Sequence, residues 1–92
     1  MTAFPLKIVT PEGLLYDGMA EEIIVRTVSG DLGILAGHIN FAAPLGTGWA
    51  TVVADGKTRY AACSGGMLSV IGGRVTIVAS DFRWEQRVPN IT

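Results

Sequence analysis

His38 and Cys63 are the only histidine and the only cysteine in this 92-residue chain. A nucleophile–base pair would have to be Cys63 or Ser64 with His38 as base. No spacing brings these residues together. Cys63-Ser64-Gly65-Gly66 reads as a strand ending in a tight bend, where a lone cysteine is a small buried hydrophobe. Gly56-Lys57-Thr58 has the ending of a phosphate-binding loop, but Thr51 stands where that motif needs its first glycine. The tripeptide also falls at a predicted hairpin turn, with no following helix to hold phosphate. Gly46 and Gly48 do not extend into a dinucleotide fingerprint. One histidine, one cysteine and scattered carboxylates make no metal-ligand set. Asn90-Ile91-Thr92 is a glycosylation sequon without a secretion signal to give it meaning. The residues thus predict no catalytic group, no metal and no cofactor, and they leave His38 as a surface or interface residue.

What stands out instead is Gly30-Asp31-Leu32-Gly33-Ile34-Leu35-Ala36-Gly37-His38. Its glycine spacing predicts a shaped, turning segment and neither a regular helix nor a plain strand. Leu32, Ile34 and Leu35 on an exposed turn would need cover, from the protein's own core or from a partner.

The elements that must position this segment are strands. Twelve Gly and four Pro leave only 19–29 and 74–88 as uninterrupted stretches beyond eight residues. The first contains the β-branched Ile23-Ile24-Val25-Arg26-Thr27-Val28 and the second opens with Arg74-Val75-Thr76-Ile77-Val78-Ala79. Only 80–87 has room for a helical turn. Strands are predicted over 6–10, 14–16, 22–28, 49–54, 57–62, 67–71 and 74–79. Asp55-Gly56 and Gly72-Gly73 are type I′ hairpin signals between them. Successive apolar residues, as in Ile23-Ile24-Val25 and Ile77-Val78-Ala79, suggest cover on both faces. The fold class is all-β: a flattened sandwich or barrel of short, mostly antiparallel strands, with at most a helical turn near the C-terminus. The division is a β-sandwich domain over 1–81 and a short tail over 82–92.

Composition narrows the partners. Seven basic and eight acidic residues give a net charge of −1 with no basic stripe, which argues against nucleic acid or an anionic membrane surface. Charged residues are 16% of the chain, below the ~25% usual for soluble domains. With 49% hydrophobic residues, that balance points to surface covered in an assembly. No signal peptide or run of transmembrane length is present, and a single cysteine fits a reducing compartment. The chain reads as soluble and intracellular, at most peripheral to a membrane.

Taken in order, several motifs resemble a known family. Leu6-Lys7-Ile8-Val9-Thr10-Pro11-Glu12-Gly13, Tyr16-Asp17-Gly18 and Glu21-Glu22-Ile23-Ile24-Val25-Arg26-Thr27 look like the opening of the ε subunit of the rotary ATP synthase. Gly30–His38 is similar to that family's most recognisable loop. Ser64-Gly65-Gly66-Met67-Leu68-Ser69-Val70 and Val75-Thr76-Ile77-Val78-Ala79 resemble its later strands. The resemblance runs in register from about residue 5 to residue 81.

That resemblance implies a non-catalytic rotor subunit. Its β-sandwich sits at the foot of the central stalk, joins the γ subunit to the membrane ring of c subunits, and couples ion translocation to ATP synthesis. It implies a c-ring interface at Asp31, Leu32, Gly33, Ile34, Gly37 and His38, with Asp31 the acidic contact, and leaves the γ-facing residues unassigned. It also implies a peripheral position on the cytoplasmic face of a bacterial inner, or other energy-transducing, membrane. The chain departs from the family pattern at Ala36, where proline is usual, at Ile39-Asn40-Phe41, and after Ala79. Ninety-two residues leave no room for the family's C-terminal helical hairpin, which carries an inhibitory arm and, in some members, an ATP site. Without the resemblance, the residues alone also fit a stand-alone β-sandwich adaptor or small-ligand-binding domain, the apolar loop forming a pocket mouth.

Overall fold

The structure is a computed structural model that describes residues 2–86; the last part of the expected tail, with the sequon at 90–92, lies outside them. Eight strands form in chain order: β1 Phe4–Thr10, β2 Gly13–Ala20, β3 Glu22–Thr27, β4 Gly30–Leu35, β5 Phe41–Pro44, β6 Thr47–Ala54, β7 Lys57–Ile71 and β8 Arg74–Glu85. They make one hydrogen-bonded sheet in the order β2-β1-β8-β7-β6-β3-β4, with β5 also paired to β7. All pairings are antiparallel except β1 with β8.

The sheet becomes a sandwich because its two longest strands serve both layers. The first half of β7 pairs with β6 over Lys57–Ser64, and its second half pairs with β5 over Met67–Val70. β8 follows β7 throughout and takes β1 along Val75–Val78. The inward-facing residues change phase where the layers meet. In β7 they are Ala61 and Cys63, then Leu68 and Val70; in β8 they are Val75, Ile77 and Ala79, then Phe82. Gly65 and Gly66 absorb the slip with φ of 70° and 112°. A Cβ on Gly66 would overlap the Val78 carbonyl oxygen and stand 2.7 Å from Ala79 Cα. The turn is stitched to its surroundings by Leu45 N–H donating to Gly66 O at 2.9 Å and Gly65 N–H donating to Gly46 O at 3.2 Å.

This slip accounts for most differences from the sequence reading. Residues 57–62 and 67–71 are one strand, because the bend lies inside β7 instead of ending it. Residues 80–85 are strand, not a helical turn, and β8 runs past position 81. Phe82 is buried, and Trp84 packs partly buried on the core, 5.2 Å from Phe82 edge-on, with the Arg59 guanidinium 3.7 Å over its ring. The short strand β5 was not anticipated. β2 extends from the expected 14–16 to Gly13–Ala20, with a bulge opposite Ile8/Val9.

Cover is on one face only, against the expectation from the apolar runs. β1 alternates cleanly, burying Phe4, Leu6, Ile8 and Thr10, as a strand with one wet face should. Ile23 and Val25 are buried while Ile24 is only partly covered, and Val78 is exposed between buried Ile77 and Ala79. Both hairpin signals were read correctly: Asp55 and Gly56 have φ of 54° and 71°, and Gly72 and Gly73 have 58° and 79°, the positive values a type I′ turn requires.

Three outcomes are expected. Gly66→Ala should lower stability by about 3 kcal/mol or more through backbone overlap and a disfavoured φ, seen as a fall of at least ~10 °C in the thermal midpoint. Gly33→Ala, at a position with an ordinary strand φ and its nearest neighbour 3.9 Å away, should change it by less than about 0.5 kcal/mol. Burial, reinforced by Asp81, pushes the Cys63 thiol up. Alkylation of Cys63 at pH 8 should therefore run at least about tenfold slower in the folded chain than in denaturant; equal rates would contradict its placement in the core.

Candidate functional site

The segment expected to be a turning loop is mostly strand. β3 and β4 form a hairpin in which Arg26 lies opposite Asp31 and Thr27 opposite Gly30. Thr27 holds its turn: the hydroxyl donates to Gly30 O at 2.8 Å and accepts from Ser29 N–H at 3.1 Å. Gly30 supplies the positive φ of 121° that closes it. Beyond the turn, β4 alternates, with Asp31, Gly33 and Leu35 outward and Leu32 and Ile34 inward.

That alternation corrects one of the expected contacts. Ile34 is completely buried and Leu32 is partly covered against the same core, so the protein itself covers both. Ile34 cannot touch a partner while the sandwich is intact. The outward apolar residue of this strand is Leu35.

The expected residues also divide into two places. Asp31 and Gly33 lie on the outer face of the hairpin, near its turn. Gly37 and His38 follow the far end of β4, whose last residue, Leu35, is about 13 Å along the strand from Asp31. There Gly37 has φ of 83°, the His38 ring packs tilted at 55° against Phe41 with centroids 5.2 Å apart, and Asn40 Oδ1 accepts from Gly72 N–H at 2.9 Å. Cys63 faces the core opposite Gly48 and Phe82, at the hairpin-turn end. His38 and Cys63 are thus not brought together. At Asp55-Gly56 the turn amide donates to Glu21 Oε1 at 3.3 Å, and the chain continues as strand, so no phosphate cradle forms. Among the described residues no cluster of three or more His, Cys, Asp or Glu could hold a metal.

The chemistry at the hairpin is an ion pair. Arg26 Nε donates to Asp31 Oδ1 at 2.7 Å, with about half of each side chain exposed. It is a directly opposed cross-strand pair of opposite charge.

A second surface went unnoticed in the sequence. Pro44 pairs with Met67, Met67 with Val78, Val78 with Val9, and Val9 with Leu14. Directly opposed residues share a face, so these form one apolar row across five strands on the outside of the sandwich. Val28 N–H donates to Pro44 O at 3.1 Å, which brings Val28 to its end. Leu14, Val28, Met67 and Val78 are 57%, 67%, 47% and 53% exposed, so this is a contiguous patch and not scattered single residues. The signal was period two: once Ile77 and Ala79 face inward, Val78 must face water. The row meets the Arg26–Asp31 pair at the β3–β4 turn.

Comparison with known proteins gives this surface a context. The family model of the ATP synthase, Delta/Epsilon chain, beta-sandwich domain matches residues 3–85. An ATP synthase epsilon chain of Bacillus velezensis is 49% identical over 79 residues, covering 86% of this chain and 60% of its own length. One of Caldicellulosiruptor bescii is 34% identical over 88 residues, covering 96% and 64%. The chain thus spans about three-fifths of the length of such relatives. Among solved structures, a chain of the Euglena gracilis mitochondrial ATP synthase, determined as an OSCP/F1/c-ring assembly, superposes with a TM-score of 0.85 at 25% identity, over 97% of this chain and 57% of that one. A chain of the Tetrahymena thermophila mitochondrial ATP synthase central stalk and c-ring has the same fold, with a TM-score of 0.72 at 17% identity, over 85% and 63%. With the matched region extending over every strand of the sandwich, this chain belongs to the ATP synthase δ/ε chain β-sandwich family.

Proposed function

We propose that the chain is a non-catalytic central-stalk subunit that joins the γ subunit to the membrane c-ring and so couples ion translocation to ATP synthesis. The observation that carries this reading is the presence of two outward surfaces of different chemistry on one rigid sandwich. The Arg26–Asp31 end suits the polar loops of a ring, and the row from Val28 to Leu14 suits a partner that stays bound, since permanent interfaces bury apolar surface. A joint that carries torque gains from preformed surfaces, because little has to be ordered on assembly. Its place is peripheral, on the cytoplasmic face of a bacterial inner or other energy-transducing membrane. No helix among the described residues is long and apolar enough to cross one.

Two substitutions separate the surfaces. Asp31→Arg in the reconstituted enzyme should reduce ion-driven ATP synthesis while leaving the fold and recovery with γ intact; unchanged synthesis would remove Asp31 from the ring contact. Val78→Asp, at an exposed strand position, should fold and yet lower recovery with γ at least about tenfold, because a charge would be buried without a partner. Undiminished recovery would rule out the apolar row as the γ surface.

A further inference from the structure

We infer that Arg26 is a positioning residue for the docking surface: it fixes the Asp31 carboxylate, so that what the hairpin presents is an oriented ion pair and not a lone negative charge. The inference rests on the reading of the hairpin as a docking site. Exposed pairs of this kind add little to stability, so the fold does not depend on it. Its geometry is nonetheless fixed by more than the 2.7 Å contact. The Arg26 stem lies over two glycines, Gly46 just before β6 and Gly48 within it. A Cβ on Gly48 would come within 2.9 Å of Arg26 Cβ and 3.1 Å of its Cγ, and one on Gly46 would be 3.5 Å from that Cγ. Gly46 N–H also donates to Arg26 O at 2.9 Å.

Gly48 is the informative one of the two. Its φ is not positive, so no backbone requirement calls for glycine there. The three nearest atoms that a Cβ would meet all belong to Arg26. The missing side chain makes a groove for the arginine stem, and the groove aims the guanidinium at Asp31 from the opposite strand. Arginine's planar fork suits this role, since one N–H can hold the carboxylate while the others stay free. Among the described residues Asp31 Oδ2 and the other guanidinium nitrogens make no hydrogen bond, so an acceptor remains beside unused donors. The partner that fits is a polar loop offering a donor and an acceptor side by side, and a simple basic patch fits less well.

A double-mutant cycle on binding to purified c-rings tests this, using the complete chain bound to γ and the variants Arg26→Ala, Asp31→Ala and both together. The expected result is about a tenfold weakening for each single variant and no further loss in the double, with the thermal midpoint unchanged. Arg26→Lys keeps both charges and removes the planar fork; it should weaken binding in the same direction, and it serves if Arg26→Ala folds poorly. Loss with Asp31→Ala but not with Arg26→Ala or Arg26→Lys would overturn the positioning role and leave the docking reading standing. Additive losses would overturn it too, by making Arg26 an independent contact. No loss from any variant would remove the hairpin itself from the ring contact.

Discussion

The close approach of Gly66 to the Val78 carbonyl is the constraint on which the rest of the structure depends. Only a residue without a Cβ, in a backbone conformation that side chains disfavour, can pass there. That passage lets β7 and β8 leave one layer and enter the other without breaking their pairing. A single sheet can then enclose a core although the chain is only 92 residues long. The phase slip at the same point decides which residues face inward, so Phe82 and Cys63 are core on one side of it and Leu68 and Ile77 on the other.

The outer faces follow from the inner ones. With Leu6, Ile8, Ile77 and Leu68 inside, their neighbours Val9, Val78 and Met67 must point out, and the register sets them side by side. At the β3–β4 turn the same logic puts Ile34 in the core and Asp31 outside, opposite Arg26. The two surfaces are thus consequences of one folding pattern. Their shape comes from the sheet beneath them.

How much of this was legible in the sequence differs from residue to residue. Asp55-Gly56 and Gly72-Gly73 announced their hairpins, because positive φ at two adjacent positions is a local demand that few residues meet. The all-β class followed from glycine, proline and β-branched content. Gly65-Gly66 was visible as a bend, but not as a bend inside a continuous strand, since pairing with β8 is set by residues far along the chain. Ile34 looked exposed because the three glycines of 30–38 suggested a loop; Gly33 in fact has an ordinary strand φ, and only Gly30 and Gly37 mark turns. The apolar row was hidden because its members come from five strands and from widely separated parts of the chain. The resemblance carried the family, and the register was needed to show that Asp31 and His38 do not form one patch.

If the sandwich is the proposed joint, its apolar row is covered on assembly, and side-chain footprinting reads that directly. Hydroxyl-radical labelling of the chain, free and within the assembled enzyme, would be quantified at Met67 and Leu14. Both should react in the free chain and be strongly protected in the enzyme. Equal labelling in the two states would contradict it.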